Sequence, residues 1–288
     1  MLAVVLVAGC GTSLPTASPA GKVRIVAAEN FWGSIASQVG GEHASVTSIV
    51  ANPNADPHDY EATPGDARAV ATAKYVIANG AGYDPWVQRL VDANPVSGRK
   101  LLVVADLVGA KAGDNPHLWY SPADVQLFVN QVATDLGSLE SADAEYFATR
   151  AQTYLTADLN AYHAVMTVIK QKYAGTKVGA TESIFVYMAA ALGLNLVTPA
   201  GYMKSISEGQ DPSAADKAEV ERQLATKEVK VFVVNAQNST PDVQGLVAKA
   251  RANGIAVTTI TETLTPSGAT FQDWQAHQLQ DLLRSLGG

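Results

Sequence analysis

Two of the five histidines stand in matching, loop-forming surroundings that could support chemistry. His58 lies among the prolines, asparagines and aspartates of residues 52–60, and His117 lies in a similar stretch, residues 113–119. Each stretch follows a predicted strand, and open α/β sheets bind ligands beyond the carboxyl ends of their strands. Either histidine alone could be an exposed loop residue, whereas the pair indicates a shared site. The other three are interpreted as structural or solvated: His43, His163 and His277.

Carboxylates in the second half of the chain could add to such a site. Glu182 and Glu262 each follow a threonine at the end of a predicted strand, where a sheet edge would place them in a crevice. Glu208 lies in a glycine-containing loop and is a further candidate. The alternative role for Glu182 is that of an acid at a helix N-terminus, where it complements the helix dipole.

Motifs and composition exclude several other functions. The chain has no GxxxxGK(S/T) phosphate loop, no GxGxxG after a predicted strand, no GxSxG and no HExxH. The net charge of −7 and the isoelectric point near 5.2 argue against nucleic acid or an anionic membrane surface as main partner. Apolar residues make up 47% of the chain, which is enough for a sizeable core. The single cysteine excludes an internal disulfide and a cysteine-rich zinc site.

Strand-like and helix-like segments alternate along most of the chain, which favours parallel sheets with helices on their faces. Thr63-Pro64 and Ser121-Pro122 have the character of helix starts. The stretch 141–174 contains neither proline nor glycine and repeats apolar residues at three- and four-residue steps. The alternative for this stretch is two helices separated by a break. We expect an α/β protein with two βα lobes, at 22–138 and 175–288, joined by one long helix at 139–174.

Residues 1–21 have the character of a signal-peptide remnant followed by a tether. Val7-Ala8-Gly9-Cys10 is similar to a bacterial lipobox, in which the cysteine becomes a lipidated N-terminus, and small and polar residues follow it. The apolar run before Cys10 is too short to span a bilayer and lacks a preceding basic region. We expect Cys10 to be lipidated, with an ordinary buried thiol as the alternative.

Four segments form an ordered series along the chain. They are Asp56-Pro57-His58-Asp59-Tyr60-Glu61-Ala62-Thr63-Pro64, Asn115-Pro116-His117-Leu118-Trp119-Tyr120-Ser121-Pro122, Ala180-Thr181-Glu182-Ser183-Ile184-Phe185 and Thr261-Glu262-Thr263-Leu264. In this order they resemble the ligand segments of the metal-binding solute-binding proteins of bacterial zinc and manganese ABC importers. These are the receptors with a long linker helix. The resemblance runs from about Val23 to Leu286, nearly the whole mature chain.

The resemblance implies one metal site in the cleft between the lobes. His58 and His117 would come from the first lobe, and Glu182 and Glu262 from the second. Glu208 is the alternative for the fourth position, where the family usually has aspartate. Two carboxylates offset the charge of a divalent ion, and their oxygens make the site more hospitable to Mn²⁺ than an all-histidine site. The Irving–Williams order nevertheless favours Zn²⁺, so one bound Mn²⁺ or Zn²⁺ is expected.

The resemblance also implies partners and location. We expect a receptor without enzymatic activity, at the cell surface or in the periplasm, anchored to the membrane through lipidated Cys10. It would deliver its metal to a membrane ABC permease. A monomer is expected, and nucleic acid is not expected as a partner.

Two other functions compete with this interpretation. A metallohydrolase could use the same two histidines and two glutamates with a metal-bound water and one glutamate as general base. The sequence offers no further acid or histidine in a recognisable base position. A receptor for an organic solute would need aromatic and arginine side chains in the cleft, and Trp32, Trp86 and Trp119 are candidates for that role.

Overall fold

The structure, a computed structural model, describes residues 21–52, 60–238 and 240–288. These residues form two four-stranded sheets in which every recorded pairing is parallel. The first sheet, in the order β2-β1-β3-β4, contains β1 (Val23–Glu29), β2 (Ala44–Val50), β3 (Tyr75–Ala78) and β4 (Lys100–Val103). The second, in the order β6-β5-β7-β8, contains β5 (Lys177–Ala180), β6 (Asn195–Leu196), β7 (Val231–Asn235) and β8 (Ala256–Ile260). The predicted α/β architecture of two parallel-sheet lobes is therefore confirmed.

Helices connect the strands and cover the sheets. Those before β5 are α1 (Asn30–Gly40), α2 (Pro64–Thr72), α3 (Trp86–Ala93), α4 (Val104–Val108), α5 (Pro122–Leu139), α6 (Ala144–Thr153) and α7 (Asn160–Tyr173). Those after β5 are α8 (Val186–Ala191), α9 (Ala200–Ser207), α10 (Ala214–Ala225), α11 (Pro241–Ala252) and α12 (Phe271–Leu286). Among the described residues, none of these helices combines the length and the apolar character that crossing a bilayer requires.

The inner strands β3 and β7 are buried at every position. Parallel strands with helices on both faces are expected to be apolar throughout, as Val231–Val234 illustrates. Each fully buried valine, isoleucine or phenylalanine contributes about 1.5–3 kcal/mol relative to an exposed one. The buried apolar core therefore holds the carboxyl ends of the strands in fixed positions.

Side-chain caps set the starts of several helices. The Thr63 hydroxyl accepts a hydrogen bond from the backbone N–H of Asp66, and the Asp66 carboxylate accepts one from the Thr63 backbone. Ser121 caps α5 by accepting from the backbone N–H of Asp124. Both helices carry proline in the first turn, where its missing N–H costs no intrahelical bond. The start signals in the sequence correspond to real helix starts.

The connection between the lobes is helical with one irregular turn. Between α6 and α7, residues Tyr154–Asp158 form a π-helical turn, and the backbone N–H of Leu159 donates to Tyr154 O at 3.0 Å. A π turn widens a helix by one residue without ending it. The stretch 144–173 is thus a helix with a bulge, which lies between the two alternatives for the linker. The lobe boundaries stay a prediction.

The last helix, α12, forms a second connection between the lobes. Its Phe271 backbone N–H donates to Ser34 Oγ at 3.0 Å, and Gln272 donates to Gln38 Oε1 at 2.6 Å, both on α1. Farther along, Gln278 Oε1 accepts from the backbone N–H that follows β8. Two connecting helical elements restrict how the lobes can move relative to each other.

Candidate metal centre

The second sheet places two glutamates at the ends of β5 and β8. The pairing of Ala180 with Val233 brings Glu182, two residues further on, beside Asn235 at the end of β7. Glu262 follows the last residue of β8 by two positions. The exposed fractions of Glu182 and Glu262 are 0% and 1%. Because β7 lies between β5 and β8, Asn235 stands between the two carboxylates.

Asn235 and Gln237 hold these carboxylates in place. The Asn235 side-chain amide donates to Glu182 Oε2 at 3.0 Å and to Glu262 Oε1 at 2.8 Å. Gln237 Oε1 accepts from the backbone N–H groups of Glu262, at 2.6 Å, and Thr263, at 3.0 Å. Buried polar groups are costly unless they are hydrogen-bonded. This network therefore stabilises two neighbouring carboxylates that would otherwise be unfavourable.

His117 reaches the same place from the first lobe, in the loop between α4 and α5. Its Nδ1 lies 2.7 Å from Asn115 Oδ1, while the Asn115 amide nitrogen donates to Ser183 O at 2.8 Å. The second contact fixes which end of the amide faces the imidazole. Since an amide oxygen only accepts, Nδ1 carries the proton and Nε2 carries the lone pair suited to a metal. The Trp119 ring packs edge-on against the His117 ring, with 5.2 Å between the two ring centroids.

His117, Glu182 and Glu262 converge between the two sheets. Their ligand atoms all lie within 4.8 Å of one another, and all three side chains are buried. Ligand atoms around one ion with bonds of about 2.1 Å lie about 3 to 4 Å apart. Small side-chain movements would therefore suffice for these groups to share an ion. One imidazole and two carboxylates form a nitrogen and oxygen donor set that divalent transition metals accept.

Hydrogen bonds from three tyrosines cross the cleft around this cluster. Their hydroxyl groups donate from one lobe to an oxygen of the other, so that the cleft is closed around the converging side chains. The bonds run from Tyr83 to Glu262 Oε2 at 2.6 Å, from Tyr120 to Thr261 O at 2.8 Å and from Tyr187 to Asn115 O at 3.0 Å.

A tight loop carries Tyr83 toward the cluster. Gly80, Ala81 and Gly82 all have positive φ, of 79°, 53° and 88°. Alanine rarely adopts this left-handed conformation, and such strain persists only where the surrounding structure enforces it. The Asp84 carboxylate supplies that support, because it accepts from the backbone N–H groups of Asn79, at 2.7 Å, and Gly80, at 2.8 Å.

A second buried carboxyl group, Glu29 at the end of β1, neighbours Asp84. Burial first, and then the nearby Asp84, raise the pKa of Glu29 well above its usual range. Burial also raises the pKa of Asp84, opposed by hydrogen bonds from the backbone of Gly80 and Asn79. Because these donors favour the ionised form of Asp84, we assign the proton of the pair to Glu29.

The remaining predicted site residues are placed as follows. His58 and Cys10 lie outside the described residues. Glu208 ends α9 as its C-cap residue, with 45% of its side chain exposed and 3.7 Å from Lys204 Nζ. It lines a cavity of about 430 Å³ between the lobes, beside Asn115 and Tyr83. Within the described residues, Glu208 is not part of the converging group.

The tryptophans considered for an organic solute are packed inside the first lobe, where one of them, Trp119, contacts the His117 ring. Trp32 and Trp119 are fully buried and Trp86 is 5% exposed, and none of the three lines the cavity between the lobes. Trp32 instead donates from its indole N–H to Asn79 Oδ1 at 3.0 Å. These aromatic rings belong to the core of the first lobe, which weakens the case for an organic ligand.

Four residues around the cluster were not predicted from the sequence: Tyr83, Asn115, Asn235 and Gln237. A signal for Asn235 existed, because it directly follows the apolar run Val229–Val234 at a predicted strand end. Asn115 stands two residues before His117, at the start of the second of the four ordered segments. Such amides have no distinctive spacing of their own, so their role becomes visible only when the partners are placed.

The fold and this donor set define a two-lobed binding protein with a candidate metal site in its cleft. Residues 25–285 match ZnuA, the family described as zinc-uptake complex component A, periplasmic. The chain belongs to this family, which confirms the resemblance found in the four ordered segments.

Individual relatives have low sequence identity to this chain. The chain is 31% identical over 159 residues to the manganese-binding lipoprotein MntA of Halalkalibacterium halodurans, a match that spans 54% of this chain and 53% of that protein. It is 22% identical over 256 residues to the manganese ABC transporter substrate-binding lipoprotein PsaA of Streptococcus pneumoniae serotype 4, covering 83% and 81% of the two chains.

Solved structures with the same fold have still lower sequence identity. The Mn-bound periplasmic metal-binding protein of Candidatus Liberibacter asiaticus superimposes with a TM-score of 0.75 at 19% identity, covering 92% of this chain and 100% of that one. The solute-binding protein FpvC of Pseudomonas aeruginosa, in complex with Mn²⁺, has a TM-score of 0.72 at 20% identity, covering 92% and 98%. These likenesses support the two-lobed fold.

Proposed function

We propose that this protein captures a divalent transition metal, Mn²⁺ or Zn²⁺, outside the cytoplasmic membrane and delivers it to an ABC permease. The observation that carries the proposal is the convergence of His117, Glu182 and Glu262, all buried, at the facing carboxyl ends of two sheets. Membership of the zinc-uptake family and similarity to manganese-binding lipoproteins support it. The same relationships favour binding and transport over catalysis.

The proposed ligands are His58, His117, Glu182 and Glu262. Two imidazoles and two ionised carboxylates suit a 2+ ion in a buried site, since the carboxylates cancel its charge. Asn115, which fixes the His117 tautomer, and Asn235, which holds both glutamates, act as the outer hydrogen-bond partners that metal ligands usually have. Glu208 would stay outside this ligand set.

The cargo is Mn²⁺ or Zn²⁺. Carboxylate oxygens suit Mn²⁺, and the relatives above are named for manganese. The family is named for zinc, and Zn²⁺ binds most mixed nitrogen and oxygen sites more tightly. Metal analysis of the protein purified from its native host, without chelators or affinity tags, would identify the cargo.

We further propose that the protein acts as a monomer held at the outer surface of the membrane by lipidated Cys10. The short apolar run and the small residues around Cys10 support this anchor. Mass spectrometry of the membrane fraction should find the lipid on Cys10. A Cys10→Ser variant should be released into the soluble fraction, and its retention at the membrane would contradict the anchor.

Calorimetric titration of the metal-free protein with Zn²⁺ and with Mn²⁺ tests the binding function. One ion per chain should bind with submicromolar affinity, and the melting temperature should rise with metal concentration because only the folded state holds the ion. Absence of binding to either metal would refute the proposal. Incubation of the zinc-loaded protein with ester, peptide and phosphate substrates provides the second arm, in which turnover above background would favour a hydrolase.

A further inference from the structure

Asn235 occupies a special place in the second lobe. It ends β7, the strand between β5 and β8, and only 1% of it is exposed. The strand pairings set Glu182 on one side of it, and Glu262 follows β8 on the other. No flexible loop intervenes between Asn235 and the buried strand Val231–Val234 that carries it. Its backbone therefore belongs to a fully buried inner strand of the lobe.

One amide group of this side chain contacts both carboxylates. Asn235 Nδ2 donates to Glu182 Oε2 at 3.0 Å and to Glu262 Oε1 at 2.8 Å. Asn235 Oδ1 accepts from the backbone N–H of Gln237 at 3.0 Å, which fixes the orientation of the amide. The backbone N–H of Asn235 in turn donates to Thr181 Oγ1 at 3.1 Å. One oxygen of each glutamate is thus committed to the same fixed donor.

We propose that Asn235 is a positioning residue that determines how many oxygens the two glutamates give to the metal. By holding Glu182 Oε2 and Glu262 Oε1, it fixes the rotation of both carboxylates and disfavours chelation of the ion through both oxygens of either group. The inference rests on the proposed function, since it concerns the same metal site. Tyr83 adds to the restraint, because its hydroxyl donates to Glu262 Oε2 and further limits rotation of that carboxylate.

Carboxylate denticity bears directly on metal choice. Zn²⁺ is stable with four ligands in tetrahedral geometry. Mn²⁺ favours larger sets of oxygen ligands, which a chelating carboxylate helps to complete. Holding both glutamates to one oxygen each therefore disfavours Mn²⁺ relative to Zn²⁺. Removal of the Asn235 amide loosens the orientation of both carboxylates and should shift the site toward higher coordination numbers.

The test compares the wild-type chain, Asn235→Ala and the matched control Asn238→Ala. Asn238 lies three residues after Asn235, in the loop that follows β7, but its amide donates to Ile206 O at 3.1 Å. Co²⁺ serves as the spectroscopic probe, since four-coordinate Co²⁺ absorbs intensely in the visible range and six-coordinate Co²⁺ absorbs weakly. Dissociation constants for Zn²⁺ and Mn²⁺ are measured with competing chelators, and melting curves of the metal-free proteins check folding.

The wild type and Asn238→Ala should show intense Co²⁺ bands. In Asn235→Ala the bands should weaken, the Zn²⁺ affinity should fall about 10- to 100-fold as for other outer hydrogen-bond partners, and the Mn²⁺ affinity should fall less. The ratio of the Mn²⁺ to the Zn²⁺ dissociation constant should then decrease about tenfold.

An unchanged ratio and an unchanged Co²⁺ spectrum in Asn235→Ala would overturn the proposal, even if both affinities fell equally. Weak Co²⁺ bands in the wild type would overturn it without any variant. If Asn235→Ala does not fold, Asn235→Ser, whose shorter side chain cannot reach both carboxylates, is measured in the same way. Failure of the wild type to bind Zn²⁺, Mn²⁺ or Co²⁺ would instead refute the proposed function itself.

Discussion

The two lobes place the same two residue types at the same point of the same sheet topology. In the first lobe, the pairing of Ala27 with Ile77 sets Glu29 beside Asn79 at the carboxyl ends of β1 and β3. In the second lobe, Glu182 stands beside Asn235 at the ends of β5 and β7. Both pairs lie where the strand order reverses direction, the position at which open α/β sheets bind ligands.

The neighbours of these pairs differ. Asn79 accepts from the Trp32 indole and donates to Pro116 O at 2.9 Å, so it holds core and loop together. Glu29 stays protonated because the neighbouring Asp84 carries the negative charge. The Asp84 carboxylate also accepts hydrogen bonds from two backbone N–H groups, which favour its ionised form. Asn235 instead donates to two carboxylates that approach His117.

The comparison shows two ways of burying neighbouring carboxyl groups. In the first lobe, the carboxyl groups of Glu29 and Asp84 can share one proton, which removes one negative charge, so that no cation is needed. In the second lobe, Glu182 and Glu262 can both stay ionised if a cation balances their charges, and a metal ion does so with a favourable bond geometry. The first lobe uses its pair to support the loop that carries Tyr83. We expect the second lobe to use its pair for cargo.

The largest difference in metal affinity should appear when the equivalent glutamate of each lobe is replaced in turn by neutral glutamine. Glu182→Gln removes one of the charges opposite a 2+ ion in a desolvated site, so the affinity for Zn²⁺ and Mn²⁺ should fall tenfold or more. Glu29→Gln replaces a group that is already neutral, so the affinity should change less than about threefold. Chelator competition on both variants measures this. Equal losses would mean that the two pairs do not differ in role.

The second prediction concerns Glu262, the other glutamate of the candidate metal site. Glu262→Gln should weaken metal binding about tenfold, since Asn235 and Tyr83 hold this carboxylate in the cluster. Glu208→Gln, at the exposed C-cap of α9, should change the affinity less than about threefold. The same titration applied to both variants checks this pair. A larger loss for Glu208→Gln would move the fourth ligand to that residue.

Much of the fold followed from local patterns in the sequence. Buried strands such as Tyr75–Ala78 and capped helices such as the one after Thr63 have signals within a few residues, so local patterns indicate where they lie. The apolar run Leu101–Ala105 by itself favours a strand over its whole length, but helix α4 begins within it at Val104. There Ala105 donates from its backbone to Asn79 O at 2.8 Å, a long-range contact that a local apolar run does not reveal.

The site was predictable only in part for the same physical reason. The residue types and strand-end positions of His117, Glu182 and Glu262 could be identified from the sequence, and the structure brings these three together. By position alone, however, Glu29 also qualifies as a strand-end glutamate. What separates it from Glu182 is the neighbouring Asp84, which comes from a loop more than fifty residues further on. Such pairings depend on the packed fold.

The third prediction concerns stability rather than affinity. The pKa of Glu29 is raised in the folded state above the ordinary value of 4.5, so the folded wild type binds a proton that the unfolded chain loses as the pH rises. Its contribution to stability is therefore full below about pH 4.5 and falls as the pH approaches the folded-state pKa. Glutamine does not titrate, so Glu29→Gln should gain stability relative to the wild type as the pH rises above the ordinary pKa of glutamate.

Thermal melting of the metal-free proteins at several pH values measures this gain. The difference in melting temperature between Glu29→Gln and the wild type should become more positive by about 2–4 °C, the change that roughly 1 kcal/mol produces in a chain of this size. Glu145→Gln, an exposed substitution on α6, serves as the control and should show no such trend. A difference that is flat with pH would mean that Glu29 is ionised in the folded protein.

The smallest effect is expected at the exposed rim of the cleft. Lys204 Nζ donates across it to Gly113 O at 3.3 Å and lies 3.7 Å from Glu208, with 57% of its side chain exposed. Solvent competes for such a contact and screens its charge, so it contributes at most about 1 kcal/mol. Asn115 crosses the cleft at the buried cluster instead, with a shorter bond to Ser183 O.

Lys204→Met keeps the aliphatic stem and should change metal affinity less than about twofold, with no dependence of the difference on salt above about 0.15 M. Titrations of the wild type and this variant at low and high salt decide the matter, because a loss of tenfold at high salt would place an essential closing contact at the rim and not at the buried cluster.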